Sequence, residues 1–175
     1  MPVRRSAGLL LHRPATAPAA DPAADPGDPG VEVLIGHMGG PLWARRDAGA
    51  WTVPKGEYLD DETPLAAARR EFTEELGLPV PPGEPVDLGE VRQSGGKTVR
   101  VWALRADLDP AAVVPGTFTM TWPPRSGRTA TFPELDRVQW CDLATAADRL
   151  VTAQREFLVR LRGLLTSDVA PRVEP

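Results

Sequence analysis

Residues 54–78 constrain the fold of this chain most, because they contain a helix whose beginning and end are both marked. Thr63 can cap the helix, since its hydroxyl can accept a hydrogen bond from a free first-turn amide. Pro64 suits the first helical position, where the backbone needs no amide donor. Gly77 suits the position after the last turn, where a left-handed backbone conformation is common. The sequence therefore predicts a helix over 63–76.

The predicted helix carries faces of opposite character. At the helical repeat, Glu71, Glu74 and Glu75 share one face, while a separate apolar stripe can face the core. Like charges three and four residues apart repel, and anions near the helix C-terminus oppose the helix dipole. Taken alone, the three glutamates are better explained by a solvated acidic face than by a metal site. A divalent cation would relieve the repulsion, because hard cations bind carboxylate oxygens.

The residues around the three glutamates form a longer pattern. The segment fits G-x5-E-x7-R-E-U-x-E-E-x-G-U, in which U is an apolar residue, at every position. Seven fixed letters coincide by chance below about 10⁻⁷ per window. The segment resembles a complete Nudix box. The matching residues are Gly56, Glu62, Arg70, Glu71, Phe72, Glu74, Glu75, Gly77 and Leu78.

The resemblance to the Nudix family extends beyond the box and implies a fold. A strand before the box, the WTVPKGE segment, a strand pair after the box and a terminal helix are similar to the Nudix arrangement. The resemblance implies an α/β fold, namely a Nudix α/β/α sandwich with a mixed sheet, a catalytic loop-helix-loop and a C-terminal helix. We expect a single Nudix domain over 1–175, with its core at about 6–165.

The resemblance also implies an activity. Nudix hydrolases cleave the diphosphate linkage of a nucleoside diphosphate linked to another group, and they require Mg²⁺ or Mn²⁺. We expect a metal-dependent pyrophosphohydrolase whose substrate is a small molecule, either a nucleotide or a dinucleoside polyphosphate. The alternative is a Nudix module that binds a nucleotide ligand for regulation without significant turnover. Such modules usually lose box glutamates, and this box is intact.

Roles for the box residues follow from the same resemblance. Glu71, Glu74 and Glu75 match the metal ligands, and Glu62 matches a glutamate that often supports the metal site through water. Arg70 matches the arginine that orients the glutamates by ion pairing. The resemblance thus implies five catalytic residues and two structural glycines, which are Glu62, Arg70, Glu71, Glu74 and Glu75, and Gly56 and Gly77.

Four further candidates lie outside the box. Lys55 precedes the box glycine and Arg46 lies in the loop before it, and either side chain could contact a substrate phosphate. The PKGE segment loosely resembles that of the diadenosine-polyphosphate hydrolases. A carboxylate must take the proton from the attacking water, and Nudix members use either a box glutamate or an acid from a later loop. Glu134 and Asp136 are the later candidates, with a plain surface acid as the alternative for each.

The rest of the chain alternates predicted strands and loops. A Pro/Ala/Asp-rich segment at 14–30 follows the first strand, and we expect a flexible loop insertion there because proline stops helices and sheet ladders. An apolar stripe near the C-terminus predicts one helix over about 144–165, followed by a tail at 166–175. Strands are predicted at 6–12, 31–38, 86–93, 97–108, 117–122 and 136–143, with a short extended piece at 51–54.

The composition limits the partners and the compartment. The 20 basic residues are outnumbered by 24 acidic residues, which argues against a nucleic-acid partner. No apolar run is long enough to cross a membrane, and Cys141 alone can form neither an internal disulfide nor a multi-cysteine zinc site. We therefore expect a cytoplasmic protein without a membrane partner. His12 and His37 each end a strand, and we expect both to be structural.

Overall fold

The structure is a computed structural model that describes residues 4–16 and 29–168. Its helices in these residues are α1 (Pro64–Leu76), α2 (Leu143–Arg149) and α3 (Arg155–Asp168). Its strands are β1 (Arg5–Pro14), β2 (Val31–Met38), β3 (Trp51–Thr52), β4 (Lys55–Glu57), β5 (Val86–Arg92), β6 (Thr98–Arg105), β7 (Thr117–Thr121), β8 (Thr129–Pro133) and β9 (Leu135–Asp142).

Strand β1 lies in the centre of the main sheet. The strands follow the order β3-β2-β1-β6-β5, with β4 also paired to β1 and β9 paired to β2. Strand β1 runs parallel to β6 and antiparallel to β2 and β4, so the sheet is mixed as predicted. Because alternate side chains of a strand point to opposite faces, the buried residues 6–12 contribute to a core on each side.

Helices cover both faces of this sheet. On one face, Leu9 and Leu11 of β1 belong to a buried cluster with Ala68, Phe72 and Leu76 of α1. On the other face, a second buried cluster joins strand residues to α2 and α3. This arrangement confirms the predicted α/β/α sandwich. The largest members of the second cluster include Leu10, Ile35, Trp51, Leu150, Phe157 and Leu161.

Helix α1 begins and ends at the residues that the sequence predicts. The Thr63 hydroxyl accepts a hydrogen bond from the Ala66 amide at 3.3 Å, and Pro64 occupies the first turn. Gly77 adopts a left-handed conformation with φ of 65°, and its amide donates to the Thr73 carbonyl at 2.8 Å. These local contacts fix the length of the helix that carries the three glutamates.

The C-terminal region differs from the single helix predicted over 144–165. Helix α2 ends at Arg149, and the extended Leu150 pairs with Trp51 of β3 before α3 begins. Gln154 lies between the two helices and is fully buried. Its Oε1 accepts a hydrogen bond from the amide of Val53, the residue after β3, at 2.8 Å, so a buried polar contact lies at the break between the two helices.

Strands β7 and β8 form a separate two-stranded hairpin, of which the sequence predicted only β7. Phe118 and Phe132 lie on its half-buried face, while its other face presents exposed threonines. The Glu134 amide donates to the Gly116 carbonyl at 2.8 Å, which closes the base of the hairpin. Both ends of the hairpin therefore lie beside each other.

The 14–30 insertion connects β1 to β2. Pro14 pairs with Val31, and the Ala15 amide donates to the Gly30 carbonyl at 2.8 Å, so its two ends are joined. Residues 17–28 of this insertion lie outside the described residues, as do residues 169–175 of the predicted tail. Among the helices that the structure describes, none combines the length and the apolar character needed to cross a membrane.

Candidate active site

Strand β4 places Gly56 against the glutamates of α1. Gly56 pairs with Ala7 of β1, which holds it next to the helix. A Cβ at position 56 would lie 1.8 Å from Oε2 of Glu71. Any side chain at this position would therefore displace the Glu71 carboxylate.

Arg70 holds three carboxylates of the box together. Its Nη1 donates to Oε1 of Glu71 at 2.6 Å and to Oε2 of Glu74 at 2.9 Å. Its Nη2 donates to Oε1 of Glu62 at 2.6 Å and to the Glu57 carbonyl at 3.2 Å. The hydrogen bond with Glu62 is the main reason that the pKa of Arg70 is raised and that of Glu62 is lowered. The loop and the helix are thus joined through one guanidinium.

Glu75 differs from its neighbours because it is buried, with 9% of its surface exposed. Its Oε2 accepts a hydrogen bond from the Lys55 amide at 2.8 Å. Burial raises the pKa of Glu75 to about 7, while the charge and the amide of Lys55 partly oppose this shift. The charges of Glu134 and Glu71 raise the pKa further, so these carboxylates lie close enough to repel one another.

Glu134 lies beside the box glutamates, although it is far from them in sequence. Its Oε2 would lie 2.9 Å from a Cβ at Gly116, and the same Cβ would lie 2.8 Å from the Glu74 carbonyl. The pKa of Glu134 is raised, first by burial and then by the charges of Glu71 and Glu74. The closed base of the β7–β8 hairpin thus adds a fourth carboxylate to the site.

Asp136, the other candidate acid, is bound elsewhere. Its Oδ1 lies 2.6 Å from Nδ1 of His37 and 3.4 Å from Nε of Arg137. The His37 ring is fully buried, and its Nε2 lies 2.7 Å from the Arg46 carbonyl oxygen. Asp136 is therefore linked to the 39–50 loop through His37, whereas Glu134 lies beside the box glutamates.

Lys55 and Lys97 border the acidic residues on another side. Lys55 is half-buried, and burial is the main reason that its pKa is lowered, with a further contribution from the charge of Lys97. Glu75 and Glu71 oppose this shift, so Lys55 is close to both glutamates. Nζ of Lys97 lies 3.4 Å from Oε1 of Glu57. The sequence predicted Lys55 as a site residue because it precedes the box glycine. It gave no such signal for Lys97, which lies in a hairpin turn outside any motif.

The four carboxylates suit a hard divalent cation by their chemistry, because such ions bind several oxygen ligands and offset mutual repulsion. In residues 4–16 and 29–168, no three acidic, histidine or cysteine side chains are already arranged around a common point. Glu71 and Glu74 both bond to Nη1 of Arg70. A metal could be held if these two flexible side chains turned away from Arg70.

Comparison with known proteins identifies the family. The family model described as the NUDIX domain matches residues 28–161. The chain belongs to the Nudix family. An RNA pyrophosphohydrolase from Halorhodospira halophila is 30% identical over 164 residues, which cover 80% of this chain and 82% of that protein. An RNA pyrophosphohydrolase from a Marinomonas species is 47% identical over 47 residues, which cover 26% of this chain and 29% of that protein.

Solved structures of other proteins share the Nudix fold. An Ap4A hydrolase from C. elegans has a TM-score of 0.61 at 21% identity, covering 94% of this chain and 99% of that one. A mutT/nudix family protein from Listeria innocua has a TM-score of 0.59 at 16% identity, covering 96% of this chain and 97% of that one. At these identities the structural similarity shows the fold alone. The family match and the relatives named as pyrophosphohydrolases make the chain a Nudix hydrolase.

Proposed function

We propose that this Nudix hydrolase is a metal-dependent pyrophosphohydrolase. Its substrate would be a nucleoside diphosphate linked to another group, either a nucleotide or a dinucleoside polyphosphate. The observation that carries the proposal is the group of Glu71, Glu74, Glu75 and Glu134 beside Lys55, with Arg70 bound to two of them. The four acids alone would repel an anionic pyrophosphate. A divalent cation bound to them, together with Lys55, would allow such a substrate to bind.

The box glutamates would hold Mg²⁺ or Mn²⁺, with Glu71, Glu74 and Glu75 as ligands. When bound, the metal supplies positive charge that offsets the phosphates and activates water toward phosphorus. Arg70, which is bonded to Glu62 of the loop and to Glu71 and Glu74 of the helix, would position these glutamates by ion pairing. Lys55, close to Glu75, would contact a phosphate oxygen of the substrate.

Glu134 is our candidate for the general base. Its raised pKa makes it a better proton acceptor than an ordinary carboxylate, and it lies beside the glutamates. Asp136 is a weaker candidate, because its carboxylate is bound to His37 and faces Arg137. In this scheme water attacks one phosphorus, the bond from that phosphorus to the bridging oxygen breaks, and the proton of the water passes to Glu134.

The 5′ end of RNA is a second candidate substrate. The relative that aligns over most of this chain is named an RNA pyrophosphohydrolase. A triphosphorylated RNA end contains the same phosphoanhydride bond as a nucleotide. The net charge of −4 favours the smaller substrates, because a long RNA would meet an acidic surface.

A substrate panel tests the proposal. Dinucleoside polyphosphates, sugar nucleotides, NADH, nucleoside triphosphates and 5′-triphosphorylated RNA are incubated with Mg²⁺, and released phosphate and nucleoside monophosphate are measured. We expect at least one substrate to be cleaved, and the cleavage to stop in excess chelator. Glu74→Gln and Glu75→Gln should each lower kcat by at least about 10²-fold, since each removes a charged ligand or base.

The control for these variants is Glu156→Gln, which removes an exposed acid of α3 that is paired with Arg160. It should keep full activity. Cleavage that continues at full rate in excess chelator would refute metal dependence, and the absence of cleavage of every compound would refute the proposed activity.

A further inference from the structure

A cavity of about 580 Å³ lies apart from the box glutamates, between the 39–50 loop, the β5–β6 turn and the residues after α2. Trp43 and Arg46 line it from the loop, Gln93 and Ser94 from the turn, and Thr152 from the third side. The volume suits one small organic ring system. The cavity thus combines an aromatic surface, a cation and several hydrogen-bonding side chains.

The aromatic and cationic groups form a pair. The Arg46 guanidinium lies 5.7 Å from the centre of the Trp43 ring, and Trp43 packs against the buried cluster beneath α3. A tryptophan face and a guanidinium plane both stack on flat conjugated rings. The neighbouring Gln93, Ser94 and Thr152 can donate to and accept from the polar edge of such a ring. Arg46 was expected to contact a phosphate, but the Trp43 ring beside it favours a nucleobase, because a phosphate has no flat ring to stack on an indole.

The loop that carries this pair is held in place by buried contacts. The Arg46 carbonyl oxygen lies 2.7 Å from Nε2 of the fully buried His37. The next residue, Asp47, accepts a hydrogen bond from Nε1 of the buried Trp51 at 2.9 Å. The His37 ring also packs edge-on against Trp51, with their ring centres 5.3 Å apart. A loop held at Arg46 and at the following residue is preorganised for binding.

Two lysines lie near the box glutamates, and one of them, Lys97, closes the turn that lines the cavity. The Gln93 amide donates to the Lys97 carbonyl at 2.8 Å, and the Lys97 ammonium group lies beside Glu57 of β4. Lys55 follows on the same strand, and its amide donates to Glu75. The phosphates of a substrate held in the cavity could therefore meet Lys97 and then Lys55 before the acidic residues.

We infer that the Trp43–Arg46 cavity binds the nucleobase of the substrate, with the base stacked on this pair and its phosphates directed past Lys97 and Lys55. This assignment rests on the proposed function for the identity of the reacting bond. It makes Trp43 and Arg46 specificity residues that act on affinity, and it limits the substrates to compounds that carry a base.

Equilibrium binding tests the assignment without turnover. The four nucleoside 5′-monophosphates and ribose 5-phosphate are titrated calorimetrically into the wild type, Trp43→Leu, Arg46→Gln and Arg45→Gln. We expect at least one monophosphate to bind the wild type about tenfold or more tightly than ribose 5-phosphate, because stacking favours the base. Trp43→Leu and Arg46→Gln should remove most of this difference. Arg45→Gln is the matched control, since Arg45 is exposed in the same loop and does not line the cavity.

Two results would overturn the assignment. One is a wild type that binds no monophosphate more tightly than ribose 5-phosphate, and the other is a difference that survives in Arg46→Gln. Trp43→Leu is judged only if its thermal melt shows a folded protein, whereas the exposed Arg46→Gln decides the outcome in either case. Hydrolysis of the substrate panel with Mg²⁺ is measured in parallel. Cleavage without base-dependent binding would refute the cavity alone, and base-dependent binding without cleavage would refute the proposed activity alone.

Discussion

Gly56 and Glu71 are in such close contact that a Cβ at position 56 would fall 1.8 Å from Oε2 of Glu71. The affected atom is the end of a flexible side chain, so the helix itself need not move. The contact therefore couples the backbone of β4 to the orientation of one carboxylate.

Gly56→Ala should accordingly damage activity more than stability. We expect kcat to fall by about 10²-fold, because a displacement of roughly 1 Å at a reacting centre has that effect. The melting temperature should change little. Gly163→Ala in α3 is the control, since nothing lies within 4 Å of its added Cβ, and it should keep full activity. Steady-state kinetics and thermal melts of both variants measure kcat and the melting temperature. An unchanged kcat for Gly56→Ala would contradict the prediction.

Arg70→Lys should lower kcat with a smaller change in KM. Lysine keeps the charge but loses the planar fork that binds Glu62 and Glu71 together. The glutamates should lose alignment, while the free energy of unfolding should change by no more than about 1 kcal/mol for this partly exposed group. Arg69→Lys on the same helix is the control. A rise in KM without a change in kcat would instead make Arg70 a substrate contact.

Gln154→Ala should destabilise the fold. The Val53 amide would lose its acceptor at Gln154 Oε1, and an unsatisfied buried donor costs about 1–3 kcal/mol. Gln139→Ala is the matched control, because this exposed glutamine bonds only at the surface to Arg149. Urea denaturation measures both variants. An equal loss of stability in the two would contradict the importance of the buried contact.

His12 should make stability depend on pH. Burial, and then the charge of Arg105, lower the pKa of His12 in the folded protein. The unfolded chain binds this proton at about pH 6.5, so acidification below that value favours unfolding, by about 1.4 kcal/mol for each unit by which the pKa is lowered. The stability is complete above pH 6.5 and is lost as the pH falls toward the folded-state pKa.

His12→Gln should remove this dependence. Urea denaturation of the wild type and the variant at several values between pH 5 and 8 provides the test. We expect the stability of the wild type relative to the variant to decrease as the pH falls. Parallel pH profiles of the two proteins would show that His12 does not contribute.

Local signals made the central helix predictable. Thr63, Pro64 and Gly77 act through contacts within a few residues of each end, and such contacts are visible in a sequence. The strand predicted at 31–38 likewise has the observed bounds of β2. The box pattern also predicted the acidic partners of Arg70, since all three lie within eight residues of it in the sequence.

The errors arose where distant contacts decide the structure. The apolar stripe near the C-terminus is periodic enough for one helix, but Leu150 and Gln154 bind β3 and its continuation across the fold. The short strand β8 ends in Pro133 and exists because it pairs with β7. The proximity of Glu134 to Glu71 depends on the closed hairpin, so spacing along the chain could not separate it from Asp136.

The central position of β1 has a consequence for synthesis on the ribosome. Strand β1 can pair with β2 soon after both are made, but its other edge pairs in parallel with Thr98–Arg105 of β6, which is made much later. Until β6 has been made, the edge of β1 that carries Leu9, Leu10 and Leu11 lacks its partner strand. Nascent chains that end before β6 should therefore depend on chaperones and be prone to aggregation. Once β6 has been synthesised, the chain should fold cooperatively.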